Sequence, residues 1–302
     1  MKKSFKILFE ERLAFSKFTR TQKGAYFFKQ PMAVISYYFR NFIVRFSRRF
    51  KIFFHITART FWGGRMTLLL PEPVSQEIFF HGYFEEDLCN MFIAYIKPGM
   101  TFIDIGAHFG FFTLFGAELV GESGRVHAFE ATPETFHVLE CNAKRKKNII
   151  VNNLAVFSRQ DLLEFNDFGR EYSAYNSLHG PLLEKEEAKK IIPRKITVKA
   201  TSVDEYVRNT NIKPGFIKID AECAEYEILK GMQETIKKYR PLITTEVGDM
   251  DNEGGRDSRR DLIYIINQKY KPFEYKNGKI IPHILKGKYE YANILLIPEE
   301  KL

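Results

Sequence analysis

Cysteine, tryptophan and long apolar runs are all scarce in this chain, and each scarcity removes a class of protein. There are 3 cysteines and 1 tryptophan in 302 residues. Cys89, Cys141 and Cys223 are widely spaced, odd in number and contain no C-x-x-C pair. That pattern argues against a disulfide framework or a structural zinc site and fits a reducing compartment. The opening MKKSFKILFEER starts basic, but Glu10–Arg12 interrupts the apolar run after Ile7–Phe9, which makes a poor signal peptide. The longest apolar stretch near the N-terminus, Met32–Phe39, falls far short of the roughly 20 residues of a membrane-spanning helix. The expectation is a cytoplasmic protein with no spanning segment.

Acidic residues are also missing from one place. Residues 1–60 hold 14 Lys or Arg against only Glu10 and Glu11, a balance of +12, and since the whole chain carries +9 the remainder carries −3. Phenylalanine and tyrosine are abundant instead, 29 and 15 residues. In YYFRNFIVRFSRRFKIFF (37–54) the apolar Phe39, Phe42, Ile43, Phe46, Phe50 and Phe53 recur at helical spacing, with Arg40, Arg45, Arg48, Arg49 and Lys51 between them. This reads as a basic amphipathic helix within an N-terminal helical extension, residues 1–70. Its aromatic stripe either packs on the main domain or lies on an anionic membrane surface, which would make the protein peripheral at the inner membrane. A nucleic-acid surface ranks below both, because no recognisable RNA or DNA module accompanies the charge.

A boundary at Pro71–Pro73 opens a second domain, 71–302, in which strands and helices alternate. Val74–Phe80 reads as a strand, Glu85–Ile96 as a helix, and Thr101–Ile105 as a buried strand before helix Phe111–Val120. Strand Arg125–Phe129 and helix Pro133–Lys146 come next. Strands Ile149–Val156 and Phe216–Ile219 then bracket a polar insertion, about Ser158 to Ile196, that is expected to shape the acceptor side. Helix Ala224–Tyr239, strand Pro241–Glu246, a loop at DNEGGRDSRR (251–260), helix Asp261–Lys269 and strands Phe273–Tyr275 and Tyr291–Ile297 complete the chain. Alternation of this kind implies an α/β fold, a mostly parallel sheet with helices on both faces. Such sheets bind ligands beyond the carboxyl ends of their strands.

The loop after Thr101–Ile105 reads DIGAHFG. It is not GxGxxG, it offers no Lys, Ser or Thr to a phosphate, and it opens on Asp104. An acid there repels a pyrophosphate and suits an ammonium. Gly106 and Gly110 allow a sharp turn and close approach to a ligand. The next strand ends on Glu130, placed to accept hydrogen bonds from both hydroxyls of a ribose. An ammonium, a ribose and no phosphate describe S-adenosylmethionine. A nicotinamide-dependent oxidoreductase is disfavoured by the missing GxGxxG and by Asp104.

The third constellation is FIKIDAECAEYEILKGM (216–232), where a strand ends on Asp220 and Glu222, Glu225 and Glu227 follow. Such acids also serve as caps and dipole partners of a helix. In a methyl transfer to an alcohol, a general base at Asp220 would assist the acceptor, with His108, Lys218 and Glu246 as further candidates. Asp220, Glu222 and Glu246 could alternatively hold a hard cation, but spacing does not establish that they converge, and no metal is assigned. His81, His127, His137 and His283 read as non-catalytic.

In order along residues 75–298, GYFEEDLCNMFIAYIKPGMTFIDIGAHFGFFTL, GRVHAFEATPETFHVLECN, NNLAVFS, NSLHG, FIKIDAECAEYEILKGM and RPLITTEV resemble the FkbM family of S-adenosylmethionine-dependent methyltransferases. The resemblance implies a Rossmann-like class I fold with a seven-stranded sheet and O-methylation of a hydroxyl on a glycan, glycolipid or secondary metabolite. It assigns Asp104, Gly106, His108 and Gly110 to the cofactor loop, Glu130 to the ribose, Asn153 to the adenine side, and Asp220, Glu222 and Glu225 to the fourth-strand motif. His108 stands where the family commonly has Asn, Ala131 where Pro is usual, and Cys223 where Gly is typical. A non-catalytic S-adenosylmethionine-binding module is the alternative that Cys223 raises.

Overall fold

In the computed structural model, residues 4–21, 31–178, 192–249 and 257–302 are described. The chain forms two compact units: residues 1–86 with 170–174, and residues 87–169 with 175–302. The first unit therefore runs past the expected boundary at Pro71. The reason is local: strands β1 (Phe54–Arg59) and β2 (Arg65–Leu70) pair antiparallel and are followed by a third helix that the N-terminal helices grip.

Helix α1 (Phe5–Thr21) buries Phe9 against Phe61 and Tyr83, with ring centroids 4.7 and 5.3 Å apart. Helix α2 (Pro31–Phe50) starts earlier and ends sooner than the 37–54 expectation, and Phe54 opens β1 instead. Val74–Phe80, expected as a strand, lies in helix α3 (Pro73–His81). Glu72 caps it by accepting from the backbone N–H groups of Val74 (2.9 Å) and Ser75 (2.6 Å), Pro73 occupies the first turn, and Gly82 ends it in the left-handed region at φ 72°. Those start and stop signals outweigh the β-branched content of the run. Arg12 donates to the carbonyls of His81 and Phe80, and Arg40 to that of Phe79. Both helices are thereby tied to α3.

The second unit begins with helix α4 (Glu86–Tyr95) and is built on an eight-stranded sheet, one strand more than expected. Its members are β3 (Thr101–Ile105), β4 (Arg125–Phe129), β5 (Ile149–Asn152), β9 (Pro214–Ile219), β10 (Leu242–Val247), β11 (Tyr270–Lys276), β12 (Lys279–Pro282) and β13 (Ala292–Pro298). The order is β12-β11-β13-β10-β9-β3-β4-β5, in which β10, β9, β3, β4 and β5 run parallel and β13, β11 and β12 add antiparallel ladders. The extra strand is β12, which closes a hairpin with β11 across Asn277–Gly278. Every residue of β10 is buried, as befits a strand covered on both faces.

Helices α5 (Phe111–Val120) and α6 (Pro133–Ala143) follow β3 and β4. Phe92 of α4 meets Phe102, Phe112 and Phe216 at 5.1–5.2 Å between ring centroids, an aromatic core at the centre of the sheet. Each such ring is worth about 1.5–3 kcal/mol of burial.

The expected strand Ile149–Val156 is interrupted. Asn153 turns the chain after β5, and β6 (Ala155–Val156) joins β8 (Arg194–Thr201) and β7 (Asp161–Asp167) in a small separate sheet, order β6-β8-β7. Helix α7 (Val203–Thr210) leads to β9. The expected helix Ala224–Tyr239 is two helices, α8 (Glu225–Lys230) and α9 (Gln233–Tyr239). The break is stabilised by Asp204 of α7, whose carboxylate accepts from the N–H groups of Glu234 (3.0 Å) and Thr235 (2.7 Å) and so caps the second piece. Helix α10 (Ser258–Ile266) precedes β11. Most of the loop expected at 251–260, part of the 158–196 insertion and the end of NSLHG lie outside the described residues.

Candidate active site

From β3 the chain proceeds outward through β4 and β5, whereas β9 and β10 lie on the other side of β3. The β3/β9 seam is therefore the point where strand order reverses, and loops leaving it open a crevice. The parallel register sets Ile105 beside Ile219 and Asp104 beside Lys218. Both loops, 106–110 and 220–224, thus leave the sheet at one level.

Those two loops cross in contact. Gly106 has φ 74°, and a Cβ there would lie 1.7 Å from the carbonyl oxygen of Asp220. No other residue fits that crossing. The Asp220 N–H donates to the Ile105 carbonyl at 3.2 Å, and Lys218 Nζ donates to the Gly106 carbonyl at 3.1 Å. The glycine expected to make room for a ligand makes room first for the backbone of the neighbouring loop. Gly110, at φ 91°, precedes α5 with Leu139 packed close by.

Asp104 is fully buried. Its Oδ2 accepts from the Thr113 hydroxyl at 2.6 Å, and its Oδ1 lies 3.4 Å from Lys218 Nζ without hydrogen-bond geometry. The ammonium that answers Asp104 is therefore the protein's own. Lys218, only 2% exposed, also lies 3.1 Å from Asp220 Oδ2 and 5.6 Å from the centre of the Phe112 ring. It links a buried acid to a partly exposed one. Asp220, Glu222 and Glu246 bring carboxylate oxygens within 4.8 Å of one another, so the convergence that sequence spacing left open does occur. Glu225 is buried, and its Oε1 accepts from the Ala221 N–H at 3.1 Å, bracing the same loop.

Glu130 emerges from β4 next to this group. Its Oε1 accepts from the Thr132 N–H (3.0 Å) and hydroxyl (2.6 Å), its Oε2 from the His108 N–H (3.0 Å). Burial pushes its pKa up, against the pull of those hydrogen bonds. Oε1 already takes two donors, whereas Oε2 takes only the His108 N–H and has a lone pair to spare for a ribose hydroxyl. His108 itself sits at φ 50°, its ring stacked on Phe109 at 4.0 Å. Burial holds its pKa down to about 3, Asp220 raising it and Lys218 lowering it, so the ring is neutral at pH 7. Asn153, expected on the adenine side, donates to the carbonyls of Glu130 (2.9 Å) and Ala131 (3.0 Å) and holds the loop after β4.

Thr113, Thr132 and Asn176 escaped the sequence reading. Asn176 Nδ2 donates to Thr132 Oγ1 at 3.3 Å, continuing the chain of bonds to Glu130. Its place in NSLHG was the available signal. For Thr113 only the helical register relative to Asp104 could have served.

The family model of the FkbM methyltransferase domain matches residues 104–289, more than half of the chain. The chain belongs to the FkbM methyltransferase family. Solved structures with a similar fold include the FkbM methyltransferase of Methylobacillus flagellatus, at 14% identity and TM-score 0.41 over 74% of this chain and 54% of that one. They also include Aeropyrum pernix fibrillarin with natively bound S-adenosyl-L-methionine, at 12% identity and TM-score 0.39 over 67% and 68%. A SAM-dependent O-methyltransferase from Thermotoga maritima aligns at 12% identity and TM-score 0.36 over 80% and 77%. The matched region spans about half the length of the Methylobacillus chain. No curated protein matches the sequence.

The FkbM family is S-adenosylmethionine-dependent, and the residues here fit that cofactor. Lys218 stands among Asp104, Asp220, Glu222, Glu246 and Glu130, a surplus of carboxylate that attracts a cationic sulfonium and repels a phosphate. No helix among the described residues is long and apolar enough to cross a membrane.

Proposed function

We propose that this FkbM protein transfers a methyl group from S-adenosylmethionine to a hydroxyl of a glycan, glycolipid or secondary metabolite. The observation that carries the reading is Asp220, partly exposed at the carboxyl end of β9 and fixed 3.1 Å from Lys218. When bound, the cofactor supplies an electrophilic methyl group. The chain's own residues do the rest. Glu130 holds the ribose hydroxyls, kept in place by Thr132 and the His108 N–H. Lys218, anchored by the Gly106 carbonyl, orients the Asp220 carboxylate. Asp220, whose carboxylate is partly exposed, then takes the proton of the acceptor hydroxyl. His108 is a poorer base, because burial disfavours its protonated form more than the nearby Asp220 favours it.

The test is methyl transfer from labelled cofactor to a panel of hydroxyl-bearing glycans and glycolipids, with calorimetric titration of the cofactor alongside. Asp220→Asn should keep cofactor affinity and lower kcat about 100-fold or more, whereas Glu130→Ala should lose the cofactor. Transfer to amines but not to hydroxyls would overturn the acceptor class. A second reading, a non-catalytic binder, draws on Cys223, which occupies φ 78° beside the site where Gly is typical. Cofactor binding without transfer, restored by Cys223→Gly, would favour it.

A further inference from the structure

Helix α2 has two faces. Val44 and Ser47 are buried, Tyr37 meets the Phe80 ring at 5.7 Å, and Arg40 donates to the Phe79 carbonyl, so this side packs on α3. The opposite side carries Ile35, Tyr38, Phe39, Phe42, Phe46 and Phe50, every one between 45% and 64% exposed. At 100° per residue these six fall within one arc of about 120°. The rings form a ladder, with Phe42–Phe46 and Phe46–Phe50 centroids 6.1 and 4.6 Å apart. Arg45 lies just outside one edge of the arc, Arg49 just inside that edge, and Arg48 farther round the helix. Just past the helix, Ile52 is 46% exposed next to Lys51. Within its own unit, the aromatic stripe of α2 thus lies on the side turned away from α3.

We infer that this face of α2 docks on an anionic lipid surface, burying its aromatic ladder at the acyl boundary and setting Arg45, Arg48, Arg49 and Lys51 against headgroup phosphates. Charge complementarity selects this occupant. An apolar strip edged by several arginines, with no acid on α2, suits a surface that is apolar below and anionic above. A second copy of the same face would set arginines against arginines. A nucleic acid would need the cations in the middle of the surface rather than along its margin. This inference is independent of the methyl acceptor.

The experiment is co-sedimentation of the full chain with phosphatidylglycerol–phosphatidylcholine vesicles and with phosphatidylcholine vesicles at physiological salt, with folding of each variant checked by circular dichroism. The wild type should sediment with the anionic vesicles and far less with the neutral ones. Arg45→Ala, Arg48→Ala and Arg49→Ala together should weaken partitioning about a hundredfold. Phe42→Ser with Phe46→Ser, both on exposed positions, should abolish it at unchanged charge. Equal sedimentation of wild type and both variants would overturn the inference, as would absence of the wild type from every vesicle pellet. So would self-association through this face, seen as a dimer that Phe42→Ser dissolves, or RNA binding that survives the Phe42→Ser change.

Discussion

Gly106→Ala tests whether the switch point is held by a backbone crossing. Two costs add. An Ala at φ 74° costs about 1–2 kcal/mol relative to Gly. Its Cβ would sit 1.7 Å from the Asp220 carbonyl oxygen, where 3.0 Å is the practical floor, so the loops must part by more than an ångström. Parting breaks the Asp220 N–H to Ile105 bond and the Lys218 to Gly106 bond, each about 1 kcal/mol. The total is about 3–4 kcal/mol. Gly278→Ala is the internal control: φ is 80°, but nothing lies within 4 Å of the added Cβ, so only the backbone cost of about 1–2 kcal/mol remains. Urea unfolding of both variants, with S-adenosylmethionine titration of each, reads the difference directly. Gly106→Ala should be less stable than the control by about 2 kcal/mol and should lose cofactor affinity. Equal midpoints and slopes for the two variants would refute the crossing as the structural reason for this glycine.

Other consequences concern single side chains. Cys223→Gly relieves a left-handed residue at φ 78° and should stabilise the fold by about 1 kcal/mol in the same unfolding assay; a loss of stability would mean the thiol contributes packing that outweighs the strain. Thr113→Val removes the 2.6 Å bond to buried Asp104 and should cost about 1–3 kcal/mol, read as a lower urea midpoint. His127 is buried with its pKa held down to about 4 by burial, Nδ1 lying 2.8 Å from the Tyr206 hydroxyl. The unfolded chain binds a proton at this imidazole below about pH 6.5 and the folded chain does not. Stability should therefore fall as pH drops from 6.5 towards 4, by up to about 1.4 kcal/mol per pH unit. His127→Gln should flatten that slope, and an unchanged slope would assign the acid sensitivity elsewhere.

The sequence by itself determined the local features: buried strands at Thr101–Ile105 and Arg125–Phe129, the glycine turn of the first loop, and acids at the ends of strands. Each depends on a run of neighbouring residues whose hydrophobicity and turn chemistry are readable within ten positions. The helix at Pro73–His81 was legible in principle, since Glu72, Pro73 and Gly82 are its punctuation, but β-branched and aromatic content pointed the other way. What only the tertiary structure decided joins residues far apart in the chain. The β3/β9 register pairs Asp104 with Lys218, which turns an expected ligand contact into an internal ion pair. The crossing of loops sets Gly106 against Asp220, and the neighbouring strand β10 carries Glu246 to Asp220 and Glu222. The outward direction of the aromatic ladder on α2 was equally hidden. Helical periodicity says that two faces differ, and only the partner that buries Val44 and Ser47 says which of them meets solvent.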